Sequence, residues 1–371
     1  MFGRSKTKRK FTTFAAGARE TCLAARRSLA SCLVFAFCSL STQVAFAQGG
    51  QSVNVVTSIN VLSQPLSWLF EDQIDDGLLQ IEPLMSVGVD PHLYVPTRAD
   101  LRRLIAADVL VFMGLGLEAQ FDDVLTRLVG QVDQVKLEDF LPRQPLIAAV
   151  CPDEAGDFAS NCYADPHVWM APMLFGQALA PAAAQIAERL DLPMDEVAQL
   201  DARLRSYMRL LDQSLEALLT QAQVDKPMVT AHDALAYFEA RFGIETLGVA
   251  GISTDIEASV SRVQELADKL VDDGVPAVFL ESSVPARGVQ SVIEAAGRAG
   301  QTVRIEGPLY TDSVGRRGSS AASYVGMQLS NALAIACALG SDPMAQLCEQ
   351  DRELALVSLV EDFEQQLEAF Q

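Results

Sequence analysis

Three histidines among 371 residues is a small supply, and tryptophan, with two, is scarcer still. No C-x-x-C pair occurs, which argues against a thiolate zinc site. No low-complexity tract interrupts the chain. The most apolar stretch, from Ser28 to Phe46, is broken by Ser39, Ser41, Thr42 and Gln43, and is too short for a membrane anchor. Basic residues are the other shortage, because many sit at the start. MFGRSKTKRK, then Arg26 and Arg27, then the apolar stretch and a closing Ala45-Phe46-Ala47 read as a secretory signal peptide over residues 1–47, cleaved near Ala47. Removing it takes eight Lys/Arg and one Glu from the 28 and 48 of the whole chain, leaving 20 basic and 47 acidic residues, a net −27. Such a chain is not built to bind nucleic acid or anionic lipid broadly, and its field favours cations. Leu29-Ala30-Ser31-Cys32 imitates a lipoprotein cleavage box, but the apolar run follows it instead of preceding it. Arg26-Arg27-Ser28-Leu29 leaves twin-arginine export open beside the general route.

Three of the seven cysteines leave with that signal, and Cys151, Cys162, Cys337 and Cys348 remain. An even number after export fits disulfides in an oxidising compartment. Both neighbouring pairs are 11 positions apart, so Cys151–Cys162 with Cys337–Cys348 is the simplest of three connectivities.

What is present is alternation of strand and helix. Val53–Ser58, Leu79–Val87, Asp108–Met113 and Ile147–Val150 read as strands, with a helix from about Leu62 that has Pro65 near its start. Thr97 and Asp100 form a capping box opening another helix. From Pro193 to Ala222 apolar residues recur at helical spacing without Gly or Pro, enough to span about 40 Å. Alternation then resumes. Strands are expected at Met228–Ala231, Glu245–Val249, Pro276–Leu280 and Thr302–Glu306, and helices at Asp233–Phe242, from a second box of Thr254 and Glu257 to about Asp273, and after Pro285. The expected fold is α/β: two lobes, each a mainly parallel sheet flanked by helices, joined by one long linking helix. The boundaries are residues 1–47 for the signal, 48–190 for the first lobe, 191–224 for the link and 225–371 for the second lobe.

The few histidines are not scattered. GVDPHLYVPT and YADPHVWMAP place His92 and His167 in one shared frame, Asp-Pro-His-aliphatic-aromatic. His232 follows the strand MVTA, Glu281 follows PAVFL, and Asp312 lies just past TVRIE. Ligands of open α/β sheets bind beyond the carboxyl ends of strands, where all these residues fall. A lone loop histidine is ordinarily surface decoration or a hydrogen-bonded prop. Three such residues together with a carboxylate make a four-ligand shell for a transition metal. Asp90 and Asp165 are candidates to orient the rings, or simply turn residues.

Seven stretches, in order, resemble the metal-specific solute-binding proteins of bacterial manganese/zinc ABC importers: GVDPHLYVPTRAD, AADVLVFMGLGLE, ADPHVW, VTAHDALAYF, GISTDIEAS, VFLESSVP and GPLYTDSVG. The resemblance implies two lobes on a rigid helix and a metal held between them by His92, His167, His232 and Asp312, with Glu281 close by but not a ligand. It also implies a periplasmic monomer that is not an enzyme and delivers Mn²⁺ or Zn²⁺, as transported ligand and not cofactor, to an inner-membrane permease. The STDIEAS, ESSVP and LYTD segments, and the lack of histidine between His92 and His167, lean slightly to manganese. Three imidazoles and a carboxylate suit zinc at least as well. Affinity is expected to fall as pH drops below about 6, where imidazole takes up a proton. The main rival is a zinc-dependent metallohydrolase using the same ligands, with Glu281 as general base. A surface-adhesion role is a third reading, which no repeat or exposed apolar array supports.

Overall fold

The computed structural model describes residues 52–142, 146–147, 164–341, 348 and 352–368. The expected signal peptide, the Cys151–Cys162 pair and most of the Ile147–Val150 strand lie outside these.

The first lobe is built on four parallel strands in the order β2-β1-β3-β4: β1 (Val53–Thr57), β2 (Leu79–Pro83), β3 (Val109–Phe112) and β4 (Asp133–Lys136). Val55 of β1 pairs with Ile81 on one side and Val109 on the other. The all-buried VLVF of β3 is the continuous apolar run that a covered parallel strand requires. β4 has the polar sequence DQVK and offers no such pattern, which is why sequence reading misses it. β2 stops at Pro83, short of the expected Val87, because residues 84–97 leave the sheet as the loop that carries His92.

The helices are α1 (Asn60–Leu69), α2 (Glu71–Asp75), α3 (Arg98–Ala106), α4 (Asp122–Leu128) and α5 (Pro172–Arg189). α1 tolerates Pro65 inside it and buries Val61, Leu62, Leu66 and Leu69. α3 opens with the expected capping box. Thr97 Oγ1 accepts from the backbone N–H of Ala99 and Asp100, and Asp100 Oδ2 accepts from Thr97 N at 2.8 Å. The box also ends the His92 loop. Thr97→Ala is therefore expected to cost about 1 kcal/mol in urea unfolding, and a loss of only a few tenths would mean that solvent satisfies those donors equally well.

α6 (Met194–Ala222) is the long helix, 29 residues or about 43 Å. Leu200, Leu204, Leu211, Leu215 and Leu219 are buried along one side. It packs against α5 and α1 of the first lobe and against α10 (Tyr324–Leu339) of the second, so both lobes bury apolar surface on one rod. Their buried residues form a continuous core.

The second lobe holds two parallel pairs, β5 (Met228–Thr230) with β6 (Thr246–Gly248) and β7 (Ala277–Glu281) with β8 (Arg304–Leu309), β5 lying beside β7. Gly248 cannot carry a side chain, since a Cβ would stand 2.5 Å from Asp233 N and 2.7 Å from Ala250 O. The helices are α7 (Ala236–Phe242), α8 (Val260–Asp272) and α9 (Arg287–Arg298), with α11 (Arg352–Glu368) on α6 and α10. Two expected helix starts are corrected. α7 begins after a turn in which Thr230 Oγ1 donates to His232 O and Asp233 N to Gly251 O. α8 begins at Val260, capped by Ser259, and the Thr254–Glu257 box does not form. The Cys337–Cys348 disulfide is present, as expected, at the end of α10.

Candidate metal centre

Four segments meet between the lobes. His92 lies in the loop after β2, and His167 immediately precedes a single turn, Val168–Met170, that leads into α5. His232 follows β5 and Asp312 follows β8. One ligand atom from each lies within 4.8 Å of all the others. His167 is the hub, its Nε2 standing 3.3 Å from Nε2 of His92, from Nε2 of His232 and from Oδ1 of Asp312. Atoms bound at about 2.0–2.1 Å to a tetrahedral ion are separated by about 3.3–3.4 Å. The three distances from His167 thus match the edge length of such a shell. His167, His232 and Asp312 are essentially sealed from solvent, and His92 retains 5% exposure.

Carboxylates hold two of the three rings from behind. Asp165 Oδ1 lies 2.7 Å from His167 Nδ1 and accepts from His167 N at 2.8 Å. Glu281 Oε2 lies 2.6 Å from His232 Nδ1, and its Oε1 accepts from His232 N at 2.9 Å. A ring whose Nδ1 faces a carboxylate turns Nε2 toward the centre as the ligating nitrogen. Glu281 Oε2 also accepts from Thr311 Oγ1 at 2.6 Å, so both its oxygens are engaged. Ser283 donates to Asp312 Oδ2 at 2.9 Å, while Asp312 Oδ1 is buried and accepts no hydrogen bond among the described residues.

The segment of His167 is also fastened to the second lobe. Trp169 Nε1 donates to Thr311 O at 2.5 Å, and Trp169 O accepts from Tyr324 Oη and Gln328 Nε2. Tyr237 Oη donates to Asp165 O at 2.9 Å.

Ionisation follows from these neighbours. Burial drives His92 down to about 3, against the pull of Asp312, so its imidazole is neutral. Burial also opposes charge on His167, but Asp165 and Asp312 prevail and push it up to about 9. Glu281 and Asp312 likewise overcome burial to raise His232 well above the usual histidine value. Asp312 is held well below the carboxylate range, burial notwithstanding, by His232 and His167.

Every candidate read from the sequence therefore sits at the centre, with Glu281 one step behind it. Of the two aspartates considered as ring props, Asp165 is one. Asp90 is not, since its Oδ1 reaches only the backbone N of His92, at 2.9 Å. Thr311, Ser283 and Ser313 were not singled out. All three lie inside the quoted family stretches, but a hydroxyl in a loop carries no pattern that reveals which atom it will meet.

Three imidazoles and a carboxylate, buried between two α/β lobes on a rigid helix, define a bilobal binding protein for a small cation. The chain belongs to the family described as zinc-uptake complex component A, periplasmic, which matches residues 55–338. It is a metal-binding solute-binding protein of the manganese/zinc ABC importers, and not an enzyme. The manganese-binding lipoprotein MntA of Bacillus subtilis (strain 168) is 31% identical over 303 residues, 81% of this chain and 95% of that protein. The zinc-binding protein TroA of Treponema pallidum (strain Nichols) is 32% identical over 290 residues, 77% of this chain and 88% of its own length. A solved structure of periplasmic TroA from Treponema pallidum superposes with a TM-score of 0.70 at 30% identity, covering 78% of this chain and all of that one.

Proposed function

We propose that this chain captures a divalent first-row transition metal through His92, His167, His232 and Asp312 and hands it to an inner-membrane permease. The observation that supports this most directly is the mutual approach of four buried ligand atoms from both lobes. In this reading residues 1–47 direct export to the periplasm and are removed near Ala47. The mature protein is a monomer whose lobes, 48–190 and 225–371, are bridged by 191–224, and it does not bind nucleic acid. Glu281 serves to orient His232 and not as a base, because both its oxygens are already engaged. That removes the support for hydrolysis.

The sequence motifs lean to Mn²⁺, whereas the three 3.3 Å distances from His167 match edges of a tetrahedral shell. Such a shell binds Zn²⁺ more tightly than Mn²⁺ on the general affinity order. Both ions are therefore taken, with zinc displacing manganese in competition. The experiment is elemental analysis of protein purified from its native compartment without added metal, paired with chelator-competition titrations of Zn²⁺ and Mn²⁺. One equivalent of metal, and a Zn²⁺ dissociation constant at least about tenfold below that of Mn²⁺, is expected. No bound metal and no binding of either ion would end this reading.

A further inference from the structure

The repeated Asp-Pro-His frame allows an internal comparison. In the second copy, Asp165 Oδ1 grips both the backbone N and the ring Nδ1 of His167, and its Oδ2 has no hydrogen-bond partner among the described residues. In the first copy, Asp90 Oδ1 reaches the backbone N of His92 alone. Its Oδ2 instead accepts a 2.5 Å hydrogen bond from Thr254 Oγ1, a residue 164 positions away in the opposite lobe. Among the described residues the His92 ring makes no contact with a carboxylate behind it. Thr254 belongs to the STDIE stretch, which resembles a helix cap and does not act as one, since Ser259 caps α8. A second bond joins the same two parts. Gly88, at a positive φ of 78°, donates its N–H at 2.8 Å to Ser313 Oγ, next to Asp312.

The same five-residue frame is thus used in two ways. His167 is held by its own aspartate, and its segment is fastened by Thr311, Tyr324, Gln328 and Tyr237. The His92 ring lacks the first of these supports, and its segment has fewer bonds of the second kind. The loop that bears it is fixed from the far lobe, and His92 is also the most exposed of the four, at 5% against 1% or less for the others.

We infer that Thr254 is a positioning residue for metal binding: through Asp90 it sets His92 against the other three ligands, and it does so only while the two lobes are in contact. His167, His232 and Asp312 then form a standing three-ligand base, and His92 is the ligand that arrives last and leaves first. This rests on the metal-binding reading above.

The test is a double-mutant cycle on the mature protein with Zn²⁺ as probe, affinity read by chelator competition and release by stopped flow. Thr254→Val, which keeps the shape and removes the hydroxyl, is expected to weaken Zn²⁺ binding about tenfold, the scale for loss of an orienting partner, chiefly through faster release. Thr254→Ser, which keeps the hydroxyl, returns affinity to within about twofold of the parent, which also shows that the loop tolerates substitution. In a His92→Ala background, Thr254→Val is expected to change affinity less than about twofold, because its effect passes through His92. Parental affinity in Thr254→Val overturns the inference, as does an equal loss with and without His92, which would make Thr254 a general lobe contact. Failure of the parent protein to bind Zn²⁺ at all overturns the functional reading itself, a result the other arms do not produce.

Discussion

Replacing His167 by alanine is expected to weaken Zn²⁺ binding about 100-fold or more and to cost the metal-free protein roughly 3 kcal/mol. The first effect follows from position, since His167 Nε2 is the atom 3.3 Å from a donor of each of the other three ligands. Its loss leaves three donors and no hub. The second effect is not visible in the sequence, from which loss of affinity without loss of fold would be expected. Asp165 is fully buried, and its Oδ2 already lacks a partner, so alanine strands a carboxylate away from water. His92→Ala is the contrast. No carboxylate depends on that ring, so affinity falls while urea unfolding in the presence of a chelator changes by less than about 1 kcal/mol. Chelator competition and urea melts on both variants separate the two contributions. Parental affinity in His167→Ala would remove that residue from the metal shell.

Lowering the pH from 7 to 6 is expected to weaken metal binding by up to about 100-fold, with about two protons released per ion bound at pH 7. The sign follows from the neighbours of each ring. His167, pushed up to about 9, and His232, raised well above the usual value, both carry a proton in the metal-free protein at pH 7. A metal must displace those protons, so affinity climbs as pH rises toward the raised values and levels off above them. Asp312, held low, and His92, driven down to about 3, contribute little in this window. Two imidazolium protons carry a charge of +2, and one divalent ion in their place carries +2 again. Uptake is therefore an exchange that conserves the charge of a buried site, which limits its desolvation cost. Calorimetry in buffers of differing ionisation enthalpy counts the protons, and affinities between pH 6 and 9 give the slope. A free-histidine site would titrate only below about 6, as the sequence implied, and a flat profile from 6 to 9 would show that the carboxylates do not govern these rings.

How much was legible in the chain varies with the element. The long helix was readable nearly to the residue, because Leu200, Leu204, Leu211, Leu215 and Leu219 recur on one face with no breaker between them. β3 was readable as an unbroken apolar run, and the Thr97–Asp100 box was readable because capping is local. β4 was not, because DQVK borrows its strand character from β3 beside it. The start of α8 was misread for a related reason. Thr254 has the local form of a cap, but a hydrogen bond to Asp90 across the lobe boundary takes its hydroxyl.

The sequence by itself determined which residues gather at one centre: three histidines confined to strand ends or loops, two of them in one repeated frame, with a late aspartate beyond the last strand. Periodicity and punctuation are properties of neighbours along the chain, and those suffice to place a side chain on a face or at a lip. Only the tertiary structure decided how the ligands differ. Asp90 and Asp165 are the same residue in the same pentapeptide, yet one supports a ring and the other accepts a bond from the opposite lobe. The acidity of His167 and His232 was decided in the same way, by carboxylates brought up against them where water is excluded. Both outcomes depend on distances of under 3 Å, of which the Thr254–Asp90 bond alone crosses between the lobes, and on a burial that no local stretch of sequence encodes.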